Sequence, residues 1–234
     1  MAPSASQLVA RLGKLSTSAV SDVLDHCGYP AQSVSREIAP LSRTMKMAGI
    51  AACFEGVGDS DPEHRGAPAL SGFEIDRRMS AGAVLLIAMN GHGVSAAVGG
   101  LMARSAQRRG CSGFVVDGGV RDATEIVELG LPTFCRYVAP LNSAARWHLT
   151  RADAPIALPG LAASSVTVSP GDLVIGDGDG VMVIPQAIAD DVIAWTERLV
   201  EIESAIVRRI ESGASREEAF AQHPRFAHIP RLKP

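Results

Sequence analysis

The 234-residue sequence has few features that would direct it to a membrane or to a nucleic acid. It contains no run of about 18 apolar residues, and its N-terminal segment lacks the apolar core of a signal peptide. Aromatic residues make up 4% of the chain and the formal net charge is −3, so neither a stacking surface nor a basic field is present. These absences predict a cytoplasmic protein that binds neither nucleic acids nor membranes.

Cysteine is scarce and scattered in this chain. The four cysteines lie far apart, and no pair has the C-x-x-C spacing of a zinc site or a redox dithiol. Disulfides are also unnecessary, because a chain of this length buries about 70% of its unfolded surface. We therefore expect reduced, mostly buried thiols at Cys27, Cys53, Cys111 and Cys135. A nucleophilic cysteine remains an alternative, although none stands beside a histidine in a motif.

The composition that is present, 47% hydrophobic and 20% charged, is that of a globular protein. The continuous apolar segments 83–89 and 113–116 are typical of parallel strands covered on both faces, and each precedes a helical pattern, at 95–109 and 123–129. Short alternating strands after Val166 indicate an antiparallel unit. The pattern predicts an α/β fold.

The ends of the chain are predicted to be helical. Residues 1–30 contain two amphipathic helices, and a long helix runs from about Ala187 to Ser212 within a C-terminal helix and arm, 187–234. A polar loop rich in Gly and Pro, residues 56–72, lies between the first strand and the parallel unit. The length suits one large domain or two small ones, and we expect one domain, 1–234.

Two glycines open the most unusual segment of the sequence. Gly99 and Gly100 let the backbone approach a ligand closely where a helix begins. The amides of Leu101 and Met102 would then point out of the helix N-terminus, which is a ready site for a carboxylate or a phosphate.

The next strand leads to an arginine beside an aspartate. In parallel α/β sheets, ligands bind beyond the carboxyl ends of the strands. Arg121 and Asp122 therefore reach the edge where the glycine-rich helix starts, and they would form an anion clamp beside a ligand for a hard metal ion. The alternative is that Asp122 only caps the helix 123–129 and Arg121 pairs with a surface acid.

The segments GGLMARSAQRRG and GFVVDGGVRD resemble the RraA-like family, which includes class II 4-hydroxy-4-methyl-2-oxoglutarate aldolases. The resemblance extends to TSAVSDVLDHCG upstream and PGDLVIGDGDGVMVIP downstream, and so covers about 200 residues. It implies a swivelling-domain-like αββαβ sandwich that forms homotrimers or homohexamers with interfacial sites. It also implies a Mg²⁺ or Mn²⁺ ion and the cleavage or decarboxylation of small 2-oxo acids to release pyruvate.

The resemblance assigns a role to each matching position. Arg121 would contact the 2-oxo or enolate oxygen, Asp122 would hold the metal, and the amides of Leu101 and Met102, beside Gly99 and Gly100, would hold the substrate carboxylate. An acid on the closing helix of a neighbouring subunit would complete the water shell of the metal. That acid is Glu203, with Glu201 as the alternative.

One departure from the family pattern affects the expected chemistry. The aldolases carry Asp where this chain has Gly100, and that Asp moves the protons of aldol cleavage. Its absence predicts a preference for decarboxylation of oxaloacetate, which needs an electron sink more than a base. His92, after the strand 83–89, is a candidate substitute base, with a solvent-facing turn residue as the alternative.

Three other functions compete with that of a 2-oxo acid lyase. The first is a non-catalytic regulator of ribonuclease, as in some relatives. Methyl transfer is disfavoured because no G-x-G-x-x-G follows a strand, and nucleic-acid binding because of the charge and the few aromatics. Asp177 and Asp179 lack the full EF-hand pattern of calcium ligands and are expected in a hairpin turn.

Overall fold

A computed structural model describes residues 3–59 and 69–232. Their helices are α1 (Ala5–Leu12), α2 (Thr17–Cys27), α3 (Phe73–Arg78), α4 (Gly100–Arg108), α5 (Ala123–Leu129), α6 (Ala189–Glu211) and α7 (Arg216–Gln222). Their strands are β1 (Ala39–Pro40), β2 (Met47–Gly58), β3 (Ala83–Ala88), β4 (Ala96–Val98), β5 (Gly113–Val120), β6 (Thr133–Val138), β7 (Trp147–Ala152), β8 (Ile156–Pro159), β9 (Ser165–Val168), β10 (Leu173–Asp177) and β11 (Gly180–Ile184).

Nine strands form one mixed sheet with the order β1-β6-β5-β3-β2-β10-β11, to which β4 adds beside β5 and β7 beside β2. The strands β2, β3, β5 and β6 are parallel to one another. In contrast, β10 runs antiparallel to both of its neighbours, β2 and β11. The sheet is nearly closed into a barrel, and β8 and β9 form a separate hairpin. The predicted α/β fold is confirmed, with a parallel unit followed by an antiparallel one.

The central strands are buried on both faces, as their uninterrupted apolar sequences predict. Successive residues of β3 alternate between two clusters: Leu85 and Ile87 pack under α4 and α5, and Val84 and Leu86 face the hairpin side. A third cluster joins α1, α2 and α6 to the outer face of β10 and β11. The helices that carry the candidate site therefore lie on one face of the sheet, and the long C-terminal helix lies on another.

The two N-terminal helices are confirmed, and α2 has a defined cap at each end. Ser16 accepts a hydrogen bond from the amide of Ala19 at 3.2 Å, and Gly28 ends α2 with a φ of 103°. In the C-terminal arm, α7 is a further helix, which opens with a capping box between Ser215 and Glu218.

Two predicted boundaries beside the candidate site were wrong. The expected helix 95–109 begins only at Gly100, because Ala96–Val98 pairs with β5 as a short strand. The strand expected at 113–116 is also longer than predicted, since β5 continues to Val120. Both differences come from pairing with neighbouring strands, which local sequence preference does not contain.

The predicted loop 56–72 is strand at its start, because β2 continues to Gly58 and pairs with β7. Most of the rest of that loop lies outside the described residues. Among the helices that are described, none combines the length and the apolar character needed to cross a membrane.

The four cysteines are free and buried, as predicted. Burial raises the pKa of Cys53 to about 12 and that of Cys135 to about 11, so their reactive thiolate forms are scarce at neutral pH. We expect no thiol to react with a disulfide reagent in the native protein and four to react in denaturant. A spectrophotometric thiol titration measures this, and rapid native labelling of one cysteine would support the nucleophile alternative.

Candidate functional site

Asp122 occupies an unusual backbone conformation at the junction of β5 and α5. Its φ of 58° and ψ of 36° lie in the left-handed region, which Asp tolerates better than most residues. The side chain does not cap its own helix. Instead, Asp122 Oδ2 accepts a hydrogen bond from the amide of Gly100 at 2.9 Å, so the residue caps the neighbouring helix α4.

The start of α4 presents its first amides to this junction. Gly99 precedes the helix in extended conformation, and Gly100 is its first residue. Leu101 and Met102 lie in the first turn, where backbone amides have no partner within the helix. The structure therefore gives these two amides the setting that the sequence predicted for a carboxylate or phosphate site.

Arg121 lies against the same helix start. Its amide donates to the carbonyl of Val98 at 2.9 Å, and its Nε is 3.3 Å from Asp122 Oδ2. A Cβ at Gly99 would lie 3.0 Å from Arg121 Nε and 3.1 Å from Asp122 Oδ2. Gly99 therefore leaves room for both side chains, and a larger residue would require them to shift by a few tenths of an ångström.

The structure thus brings together Gly99, Gly100, Arg121 and Asp122, with the amides of Leu101 and Met102. The side chains of Arg121 and Asp122 remain 37% and 39% exposed, so a small ligand has access to both. An arginine, an aspartate and helix amides at one opening can bind an oxyanion and a hard cation side by side.

The donor set fits a magnesium-type ion and not a zinc centre. Nowhere in residues 3–59 and 69–232 do three His, Cys, Asp or Glu side chains form a group that could enclose a metal. Asp122 Oδ1 makes no hydrogen bond to any described residue, which leaves one carboxylate oxygen for a cation. Mg²⁺ is commonly held by one or two carboxylates with water and substrate completing its octahedron.

One acidic residue at this site was missed by the sequence analysis. Glu125, in the first turn of α5, lies over Gly100, and its carboxyl carbon is 2.7 Å from the position that a Cβ of residue 100 would take. From the sequence alone, Glu125 resembles an ordinary acid at a helix N-terminus. Only the packing of α5 beside α4 shows where its carboxylate lies.

His92 lies on a separate cavity of about 440 Å³ at the end of β3, which it lines with Glu37, Asp117, Arg136 and Tyr137, among others. Its Nε2 is 2.8 Å from the hydroxyl oxygen of Ser95, and burial lowers the pKa of the ring. In the same cavity, Arg136 pairs with the buried carboxylate of Asp117. His92 is thus a partly buried neutral base, and its catalytic role stays a prediction.

Glu203 and Glu201 lie on α6, which packs on a different face from the Arg121 site. Glu203 pairs with Arg225, which also contacts Asp22 at 2.6 Å, and Glu201 pairs with Arg198 at 2.7 Å. Both contacts lie within one chain. A role for either acid in the site of a second subunit stays a prediction.

Asp177 and Asp179 lie at the hairpin between β10 and β11, as expected from their turn motif. Asp177 accepts hydrogen bonds from the amide and the hydroxyl of Thr17, at 2.9 and 2.6 Å. These bonds attach the start of α2 to the hairpin. Burial raises the pKa of Asp177, but the bonds from Thr17 and from the amide of Asp179 outweigh it, so that the pKa is lowered. Its role is structural.

The fold and the site define an α/β protein with a nearly closed sheet and an arginine–aspartate pair at a helix start. The profile of the RraA-like family, described as Aldolase/RraA, matches residues 17–183. The chain belongs to the RraA-like family.

The names of known relatives point to different functions. Protein DlpA of Legionella pneumophila is 29% identical to this chain over 212 residues. The match covers 91% of this chain but 33% of DlpA, so the chain spans about a third of the length of that relative. A Halalkalibacterium halodurans protein, provisionally named 4-hydroxy-4-methyl-2-oxoglutarate aldolase, is 26% identical over 220 residues, covering 92% of this chain and 96% of that protein. Streptomyces coelicolor RraAS2 is described as an unusual member of the RNase ES inhibitor RraA protein family. Its crystal structure matches this chain with a TM-score of 0.72 and 26% identity, and the match covers 87% of this chain and 96% of the RraAS2 chain.

The bond from Gly100 to Asp122 yields a prediction about stability. Asp122→Ala removes a cap and places alanine in the left-handed region, so the free energy of unfolding should fall by about 1–3 kcal/mol. Asp122→Asn keeps an acceptor and tolerates the conformation, so it should cost less than about 1 kcal/mol. Urea unfolding measures both differences.

Asp153→Ala is the matched control. Asp153 also has a positive φ, of 55°, but its side chain makes an exposed ion pair with Arg78 and caps no helix. Equal losses for Asp122→Ala and Asp153→Ala would show that the cap on Gly100 contributes nothing beyond the left-handed backbone that the two positions share.

Proposed function

We propose that this protein is a divalent-metal-dependent carbon–carbon lyase that acts on small 2-oxo acids and releases pyruvate. The observation that carries the proposal is the meeting of Arg121 and Asp122 with the amide-bearing start of α4. A 2-oxo acid has a carboxylate next to a carbonyl oxygen, and the site offers a group for each within one opening.

Each group has a separate task in this proposal. The amides of Leu101 and Met102 bind the substrate carboxylate, aided by the positive end of the α4 dipole. The guanidinium of Arg121 donates to the 2-oxo oxygen, where negative charge develops when the bond to the leaving carbon breaks. Asp122 keeps Arg121 and the helix start in register through its contacts with both.

Asp122 is also the residue that would hold the metal ion, through the carboxylate oxygen that Gly100 does not use. A divalent ion bound there would supply a Lewis acid for the same developing charge. The family relationship supports this reading, and so does the aldolase name given to the H. halodurans relative.

The proposed enzyme is a homotrimer or homohexamer whose sites lie between subunits. Leu101 and Phe73 are 85% and 71% exposed, and with Met102 they line a groove directly beside the helix start. Apolar side chains this exposed beside a small-molecule site favour coverage by a second copy of the chain. A partner helix at this position could bring Glu203 or Glu201 to the site.

The proposal predicts pyruvate release that depends on Mg²⁺ and on Arg121. Wild-type protein with Mg²⁺ should release pyruvate from oxaloacetate, from 4-hydroxy-4-methyl-2-oxoglutarate, or from both, and chelation should remove the activity. Arg121→Ala should lower kcat about 10²- to 10³-fold, because it removes a donor to the developing charge. Coupled oxidation of NADH by lactate dehydrogenase measures the pyruvate.

Arg108→Gln is the matched control, since Arg108 is an exposed arginine at the other end of α4. It should retain the wild-type rate. Full turnover after exhaustive chelation would contradict the metal requirement, and equal rates for Arg121→Ala and Arg108→Gln would contradict the assignment of Arg121.

The position of His92 yields a further prediction. Because His92 lines a cavity other than the Arg121 opening, His92→Gln should lower pyruvate release less than tenfold. Glutamine retains a polar partner for Ser95. The same coupled assay measures this, and a loss of about 10²-fold or more, the contribution of a positioned base, would assign the proton transfer to His92.

A second function is favoured by the likeness to RraAS2, which belongs to a family of ribonuclease inhibitors. In that case the chain would bind an endoribonuclease as a regulator without using the Arg121 site. Wild-type protein that releases no pyruvate but lowers ribonuclease cleavage, with Arg121→Ala equally effective, would select this function.

A further inference from the structure

Glu125 occupies the space that a side chain at position 100 would otherwise fill. Both carboxylate oxygens and the carboxyl carbon of Glu125 are closer to the Cβ position of residue 100 than real Cβ atoms ever approach, with Oε1 at 2.9 Å. Because residue 100 is glycine, the Glu125 carboxylate can lie against the start of α4, and a side chain at this position would push it aside. Gly100 is not among the glycines with positive φ, so space and not backbone conformation is the constraint.

A second contact holds the Glu125 carboxylate in this position. Arg104, one turn after Gly100 on α4, donates from Nε to Glu125 Oε1 at 2.6 Å. Glu125 Oε2 makes no hydrogen bond to a described residue, and the side chain is 39% exposed. The Arg104 contact thus holds one oxygen, and the other faces the start of α4 with no hydrogen-bond partner among the described residues.

We propose that Glu125 is the proton-transfer residue of this site and takes the place of the Asp that related aldolases carry at position 100. The inference rests on the proposed lyase function and deepens it, because it names the group that accepts the proton in the aldol cleavage of 4-hydroxy-2-oxo acids. The ordinary alternative is an exposed ion pair with Arg104, which would leave the chemistry unchanged.

The proposed step balances without an oxidant or a reductant. The C4 hydroxyl gives its proton to the Glu125 carboxylate, and C4 becomes a carbonyl as the C3–C4 bond breaks. The electron pair of that bond remains with C3 as a pyruvate enolate, whose oxygen faces Arg121. Protonated Glu125 then returns the proton to C3, which yields pyruvate and restores the carboxylate.

Glu125→Gln is the central test because it keeps the volume and removes the proton acceptor. We expect aldol cleavage of 4-hydroxy-4-methyl-2-oxoglutarate to fall about 10²- to 10⁴-fold in kcat, with KM little changed. Decarboxylation of oxaloacetate should fall less than tenfold, because carbon dioxide leaves without surrendering a proton. The sequence, with glycine at position 100, predicts that the wild type prefers decarboxylation over aldol cleavage. If Glu125 transfers the proton, this preference should instead appear in Glu125→Gln.

A second readout uses pyruvate alone. Exchange of the pyruvate methyl protons with D₂O, followed by proton NMR, needs a proton acceptor at C3 and should slow in Glu125→Gln by a similar factor. Calorimetric Mg²⁺ titration should give the same Kd for Glu125→Gln and wild type. A large loss of Mg²⁺ affinity would make Glu125 a metal ligand and would overturn the proposal.

Two further variants test the geometry. Gly100→Ala adds one methyl group where the Glu125 carboxylate lies, and it should reproduce the selective loss of aldol cleavage by displacing that carboxylate. Glu128→Gln changes an exposed acid on the same helix and should match wild type in every assay. Thermal unfolding confirms that each variant is folded.

The outcomes separate this inference from the function on which it rests. Wild-type activity that survives Glu125→Gln, or equal losses of cleavage and decarboxylation, would overturn the role of Glu125 and leave the lyase function standing. A wild-type protein that releases pyruvate from neither acid would overturn both.

Discussion

The hydrogen bond from the amide of Gly100 to Asp122 Oδ2 is the contact on which the candidate site depends. It joins two successive strand-to-helix connections, one leading into α4 and the other from β5 into α5. Because Asp122 adopts a left-handed conformation, its carboxylate turns away from its own helix and reaches the start of the neighbouring one. Together with the bond from the Arg121 amide to the carbonyl of Val98, it fixes the position of Arg121 relative to the helix amides.

The same bond explains why small residues surround the site. Gly99 leaves room for Arg121 and Asp122, and Gly100 leaves room for Glu125. Each glycine thus marks a place where a charged side chain from the next connection lies against the backbone. A glycine that departs from a family pattern can therefore indicate a relocated functional group as readily as a lost one.

The parallel strands next to β5 hold Arg121 and Asp122 in place. β5 is hydrogen-bonded to β3, β4 and β6, and its residues are buried throughout. This pairing extends β5 to Val120 and brings Arg121 out at the sheet edge, level with Val98 at the end of β4. A short turn after Val116, as local sequence preference predicts, would have left Arg121 and Asp122 with no such support.

The sequence by itself determined the α/β class, the buried parallel strands, the two N-terminal helices, and the meeting of Arg121 and Asp122 with the Gly99–Gly100 helix start. These follow from apolar periodicity, cap residues and the rule that ligands lie beyond the carboxyl ends of parallel strands. Only the tertiary structure decided the extents of β4 and β5, the separate cavity of His92 and the position of Glu125. Each of these depends on which strand or helix lies alongside, and no single segment of sequence carries that information.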